Sequence, residues 1–286
     1  RSYPTKMAET QSTIPRRWLT LAKGVAGLLL RGSDRTPELV RASYDLVAAD
    51  YDDAWTNHMR DLSLAMLDRL APPRGAVCLD LTCGTGFVTA ELARRTDTQP
   101  VGVDSSAGML DVARRCHGRQ CEFIQADIVE YLRRCPSHSF DIITCSWGLG
   151  YSRPWCVVRE TARLLRPRGR LGIIDNTLFS LADVIWSSML TFAERPEALV
   201  HVMRVRFLPG SWALATLMRA GGLAVLNAHD GAKTYHVPDG EAAIALQREL
   251  EGDGHRALAV RTDVSAPASA ADMVERPLAA FGRIDV

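Results

Sequence analysis

The 286-residue sequence predicts an α/β fold: a mostly parallel sheet with helices on both faces. Three observations predict it. An apolar run at residues 76–81 leads into a glycine turn, Cys83-Gly84-Thr85-Gly86, and then into a helical pattern of Phe87, Ala90, Leu92 and Ala93 beside Glu91, Arg94 and Arg95. The same strand-then-helix alternation repeats as far as Asp175, and alternation of that length gives parallel strands joined by helical crossovers. The composition, 47% hydrophobic and 23% charged with a net charge of +1, suits a chain that buries a core and offers no basic excess for nucleic acid.

The elements follow in chain order. Residues 1–9 are polar and unpatterned. In residues 14–30, two arginines and Trp18 precede an apolar stretch interrupted by Lys23, Gly24 and Gly27. That stretch is too short and too broken to span a bilayer, and no small-residue cleavage site follows it. It is expected to be a helix that serves as a lid or dimer element; a shallow membrane-surface helix with Trp18 at the interface is the alternative. Residues 39–55 read as a helix and a turn, and residues 57–70 as a second helix stopped by Pro72-Pro73-Arg74-Gly75. Strand one is followed by a second strand at 100–104, a helix opening near Ser106, and a third strand ending before Asp127. A fourth strand runs into Cys145-Ser146-Trp147-Gly148, and a fifth ends at Asp175. Residues 178–199 are apolar and aromatic up to the break at Arg195-Pro196. Residues 211–220 read as a helix ended by Gly221-Gly222, and 223–227 and 233–237 as two strands around the turn Asp230-Gly231.

The chemistry concentrates at the glycine turn, where the backbone must bend sharply and let a ligand lie against it. A dinucleotide fingerprint would place a third glycine where Thr89 stands, and here an acid, Asp80, precedes the glycines inside the strand. Asp104 lies 18 residues after Gly86, close to the spacing at which a carboxylate meets ribose hydroxyls and accepts from both. The seven cysteines contain no C-x-x-C pair. Cys116, His117 and Cys121 lack a fourth ligand, so no metal is expected and the thiols read as those of a reduced, cytoplasmic protein. The histidines His58, His201, His229 and His236 sit in no motif, which leaves any general base unassigned.

Asp80-Leu-Thr-Cys-Gly84-Thr-Gly86 resembles motif I of the class I S-adenosylmethionine-dependent methyltransferases. VGVDSSAGMLDVARR, CEFIQADIVEYL and RETARLLRPRGRLGIID resemble the later blocks of that family, in order, and SYDLVAADYDDAW is similar to its ubiquinone- and menaquinone-type branch. The resemblance covers roughly residues 43–237. It implies a Rossmann-like, seven-stranded sheet whose antiparallel end is 223–227 with 233–237, under an N-terminal helical cap. It also implies S-adenosylmethionine as cofactor, leaving S-adenosylhomocysteine as product. Asp80, Gly84 and Gly86 would meet the methionine end, with Thr82, Ser105 and Ser146 beside the cofactor. Asp104 would hold the ribose, Met109 would pack on the adenine, Asp127 and Ile128 would edge it, and Tyr44 and Tyr51 would cover it. Trp147, Tyr151, Asp175 and Asn176 stand where an acceptor would bind.

Residues 240–286 resemble a middle slice of a short-chain dehydrogenase/reductase. The slice lacks the glycine-rich first turn, and the chain holds no Tyr-x-x-x-Lys pair, so reductase activity is not expected of it. The expected organisation is therefore an extension at 1–33, a methyltransferase domain at 34–238 and a non-catalytic α/β segment at 239–286. The expected activity is methyl transfer to a small, apolar acceptor such as a quinone-type precursor, a lipid or a secondary metabolite. A nicotinamide-dependent oxidoreductase and a catalytically silent S-adenosylmethionine-binding protein are the other classes considered. Weak membrane-surface contact through residues 14–30 and a homodimer remain open among the partners.

Overall fold

In the computed structural model the described residues are 14–31, 34–180 and 202–231, with isolated positions between and beyond them. They fall into two units, Arg1–Ser33 with Leu181–Val202 and Lys233–Val286, and Asp34–Ser180 with Met203–Ala232. In the first unit, helix α1 (Ile14–Arg31) buries Leu21 and leaves Leu19, Leu29 and Leu30 exposed. The short-chain-dehydrogenase-like segment expected at 239–286 lies, apart from isolated positions, outside the described residues, as do the strand expected at 233–237 and His201 and His236. No described helix is long and apolar enough to cross a membrane.

The second unit is a five-stranded parallel sheet in the order β3-β2-β1-β4-β5. Helix α2 (Thr36–Val47) leads through a π-helical turn, Asp52–Thr56, into α3 (Asn57–Leu70). There follow β1 (Cys78–Leu81), α4 (Phe87–Thr96), β2 (Val101–Asp104), α5 (Ala107–His117), β3 (Glu122–Gln125), α6 (Ile128–Arg134) and β4 (Phe140–Ser146). A 3₁₀ turn (Leu149–Tyr151), α7 (Pro154–Leu164), β5 (Leu165–Ile174) and α8 (Ser211–Ala220) complete it. Between Leu165 and Arg170 the last strand bulges, because Phe140 pairs with Leu165 while Ile142 pairs with Arg170.

Alternation along the strands sorts the core into two layers. Leu79, Leu81, Ile143 and Cys145 pack with α6 and α7 through Val129, Leu132, Val157 and Leu164. Cys78 and Ile142 point the other way and meet Leu67 and Leu70 of α3 and Val88 and Leu92 of α4. Both layers are needed because a parallel sheet buries both faces.

One of the two strands expected at the antiparallel end, residues 223–227, is corrected. Residues 223–231 form no strand. Leu223 packs on the core, Leu226 is exposed, and Asp230 turns back to bind the start of α8. Its carboxylate accepts from the Ser211 backbone N–H at 2.7 Å and the Ser211 hydroxyl at 2.9 Å. The Asp-Gly pair that reads as a hairpin turn thus supplies an acceptor to a helix N-terminus.

Candidate active site

In this sheet the order of the strands reverses between β1 and β4, and the crevice above the carboxyl ends of the strands at such a point is where α/β sheets bind ligands. A cavity of about 440 Å³ lies there, within the range of roughly 300–1,000 Å³ common for small-molecule sites.

The floor is built by the loops after β1, β2 and β3. Asp80 pairs in register with Thr144, so both side chains leave the sheet on the α4 side. The hydroxyls of Thr144 and Thr89 donate to opposite oxygens of the Asp80 carboxyl, each at 2.7 Å. Asp80 has no exposed surface, and burial pushes its carboxyl up to about 7, against the pull of those two hydroxyls. Gly86 opens α4 at φ +88°, and a side chain there would meet the Phe123 ring at 2.9 Å. Two non-glycine residues, Thr82 at φ +55° and Trp147 at φ +60°, share the left-handed region at the exits of β1 and β4. Such strain costs on the order of 1–3 kcal/mol and gathers at functional sites.

Asp104 ends β2 and faces the glycine turn. One oxygen accepts from the Gly84 N–H and the other from the Ser106 N–H, both at 2.9 Å. A carboxylate offers about four lone-pair positions, so acceptor capacity is left for a ligand's hydroxyls. Burial raises its carboxyl above the usual range. Asp127 caps α6 with one oxygen, 2.9 Å from the Glu130 N–H.

The roof comes from elsewhere in the chain. Asp45 of α2 accepts from the Ser106 hydroxyl at 2.6 Å and the Gly108 N–H at 2.9 Å. In the π-helical turn, Asp52 accepts from the Thr85 hydroxyl at 2.5 Å and the Thr56 hydroxyl at 2.7 Å. Tyr44 and Tyr51 stand edge to face, 5.7 Å between centroids, and pack on Met109. Burial raises both phenols, Tyr51 to about 12. The Trp147 indole N–H donates to Ser63 of α3 at 3.0 Å.

Of the residues singled out in the sequence, Tyr44, Tyr51, Thr82, Gly84, Asp104, Ser105, Met109, Asp127, Ile128, Ser146, Trp147 and Tyr151 line the cavity, with Asp80 sealed at its wall. Three do not line it. Gly86 lies beneath the turn as the α4 cap. Asp175 lies behind the 3₁₀ turn, where its carboxyl accepts from the Gly150 N–H at 2.7 Å and from the Asn176 backbone, and burial raises it to about 6. Asn176 is adjacent to it. His58 and His229 are not in the lining either. Sequence reading missed Glu38, Arg41, Trp55, Met59, Ser63 and Phe87, which all line the cavity. Among the described residues no group of His, Cys, Asp and Glu could hold a metal ion, and all seven cysteines are free thiols.

Residues 78–169 match the family described as "Methyltransferase domain". This region is similar to a methyltransferase domain. The domain is similar to the 2-phytyl-1,4-naphtoquinone methyltransferase of Thermosynechococcus vestitus, 40% identical over 115 residues, which are 38% of this chain and 50% of the relative. It is also similar to the demethylmenaquinone methyltransferase of Clavibacter sepedonicus, 34% identical over 49% of this chain and 59% of the relative. A ubiquinone/menaquinone biosynthesis C-methyltransferase from Hahella chejuensis is 29% identical over 70% of this chain and 87% of its own length. The first two matches thus span half to three-fifths of those relatives. Among solved structures, a chain of the complex between the Haloferax volcanii Trm112 methyltransferase activator and a methyltransferase shares the methyltransferase-domain fold, with a TM-score of 0.50 and 20% identity over 64% of this chain and 77% of that one.

The cavity's chemistry fits the cofactor of this methyltransferase class. Asp104 and Asp127 line it with Glu38, against Arg41 as the only lining arginine or lysine among the described residues. That surplus of acid suits a cationic sulfonium. Ser146 Oγ and Ser152 Oγ are buried at the cavity with no hydrogen-bond partner, which fits a polar ligand.

Proposed function

We propose that this protein transfers a methyl group from S-adenosylmethionine to a small, largely apolar acceptor. The observation that carries the reading is the floor of the cavity: Asp104 facing a left-handed glycine turn at the point where the strand order reverses, inside a region that matches a methyltransferase domain. When bound, S-adenosylmethionine supplies a methyl carbon made electrophilic by its sulfonium, whose electron pair returns to sulfur as the methyl leaves. What remains for the protein is to bind, align and exclude water, and alignment alone can supply much of the rate.

In this reading Asp104 and Ser105 hold the ribose, Met109 packs on the adenine, and Asp127 with Ile128 edges it. Thr82, Gly84 and Ser146 meet the methionine end, and Tyr44 and Tyr51 cover the whole. Asp80 and Gly86 act one step back, fixing the turn. Trp147 and Tyr151, with Trp55 and Met59, form the acceptor wall, while Asp175 and Asn176 support the 3₁₀ turn that carries Tyr151. The aromatic and thioether surfaces of that wall favour a flat, apolar body. The printed names of the relatives, naphtoquinone and menaquinone methyltransferases, support a quinone-type acceptor. The proposed boundaries of the catalytic domain are 34–238, with 1–33 and 239–286 outside it. The free cysteines support a cytoplasmic location, and the exposed leucines of α1 support contact with a membrane surface or a second copy.

The test is calorimetric titration with S-adenosylhomocysteine, and separately with NADH and NADPH, followed by mass analysis of a panel of quinols incubated with S-adenosylmethionine. The expected result is binding of the homocysteine nucleoside alone and a gain of one methylene by at least one quinol. Nicotinamide binding without nucleoside binding would overturn the reading.

A further inference from the structure

A segment far along the chain fastens the roof. The Arg204 N–H donates to the Thr36 hydroxyl at 2.7 Å, at the start of α2, and the Arg206 N–H donates to the Gly150 carbonyl at 2.6 Å. The Arg206 guanidinium reaches the Ser152 carbonyl and the Asp34 carboxylate, both at 3.3 Å. Leu208 pairs with Thr177 beyond β5. Residues 203–208 therefore tie together α2, the 3₁₀ turn and the exit of β5, yet none of them lines the cavity.

Phe207 is the residue through which this strap meets the roof. Its ring lies on the bare backbone of Gly150, where any Cβ would overlap it. Its ring also stands edge to face with Tyr151, 5.2 Å between centroids at 72°. Tyr151 in turn meets Tyr44 at 6.2 Å and 76°, and Tyr44 meets Tyr51 at 5.7 Å and 66°. Four rings thus run without a gap from the strap to Met109, and only the first lies outside the cavity wall. Edge-to-face pairs fix ring orientation as well as contact.

From this chain of rings we infer that Phe207 is a positioning residue for the cofactor cover: it sets the Tyr151 ring, and through Tyr151 it sets Tyr44 and Tyr51, without touching a ligand itself. The inference rests on the cavity being the S-adenosylmethionine site. Gly150 belongs to the same device, since it leaves the seat that the Phe207 ring occupies.

The experiment measures S-adenosylhomocysteine affinity by calorimetry and the ligand-free melting midpoint, for the full chain and its variants. Phe207→Ala should weaken binding about tenfold, and Gly150→Ala, which fills the seat, by about as much. Phe207→Tyr, which keeps the ring, should stay within about threefold of the wild type. That rescue separates ring positioning from simple loss of packing. If Phe207→Ala does not fold, Phe207→Leu keeps the volume without the ring and should bind about three- to tenfold more weakly. Affinity within about twofold of wild type in the alanine or leucine variant overturns the inference, as does a loss that tyrosine fails to restore. Failure of the wild type itself to bind the nucleoside would instead overturn the cofactor reading on which the inference stands.

Discussion

The floor of the cavity comes from three successive strand-to-helix loops, at Thr82–Gly86, Asp104–Ser106 and Ala126–Ile128, whereas its roof is gathered from α2, the π-helical turn and the turn after β4, and is fastened by a strap some fifty residues further on. The floor is held mainly by contacts that parallel strands make unavoidable, such as Gly84 N–H to Asp104 and Thr144 to Asp80 in register. The roof is held by two carboxylates, Asp45 and Asp52, that reach down to Ser106, Gly108 and Thr85. A cofactor common to many enzymes can rest on geometry that the sheet imposes. A roof assembled from distant pieces can change without disturbing that geometry.

The most damaging test of this contrast is Gly86→Val. It forces a branched residue to φ +88° and drives its side chain into the Phe123 ring. Loss of about 3 kcal/mol or more of stability and loss of nucleoside binding are expected, read by thermal denaturation and calorimetry. Asp104→Ala comes next. It strands the Gly84 and Ser106 N–H groups as well as removing the ligand's acceptor, and should weaken S-adenosylhomocysteine binding roughly a hundredfold. Removal of a roof tie should matter less. Asp45→Ala or Asp52→Ala should weaken binding about three- to tenfold and speed hydrogen exchange over residues 34–56 while leaving β1 and β2 protected. Equal exchange in variant and wild type would show that the carboxylates do not hold the roof.

The smallest effect is one of pH. Asp80 and Asp175 hold their protons more tightly in the folded protein, up to about 7 and about 6, than an unfolded chain does near 4. A raised carboxyl contributes stability below its unfolded value and loses it as pH rises through the folded one. These two groups therefore make the protein progressively less stable from about pH 4 until the pH has risen through about 7 to about 8. Asp80→Asn removes the larger share. The melting difference, variant minus wild type, should grow between pH 5 and pH 8, and a difference that stays constant would contradict the burial of this charge.

The same contrast explains what could be read from the residues alone. The helices at 57–70 and 211–220, the five strands and the acids Asp80, Asp104 and Asp127 were legible because each is a local pattern, apolar periodicity ended by a turn or an acid at a strand exit. The roof was half legible. Tyr44 and Tyr51 carried a family pattern, but Trp55, Met59 and Arg41 reach the cavity only because α2 and α3 are turned toward it, and that rotation has no local signature. The strand expected at 223–227 shows the converse. Its half-buried Leu223 and Val225 alternate with exposed Ala224 and Leu226 as a strand's would, yet a ladder needs a neighbour, and Asp230 is engaged with Ser211 instead.

The π-helical turn bears on how such a protein diversifies. Its closing bond joins Asn57 N–H to the Asp52 carbonyl, one residue wider than a regular helical turn. Each residue added to or taken from a helix rotates everything beyond it by about 100°. A single-codon deletion within 52–56 would therefore re-index the entire α3 face presented to the cavity, exchanging the neighbours of Met59 and Ser63 in one genetic event, while the sheet and its glycine turn kept their reading frame and their shape.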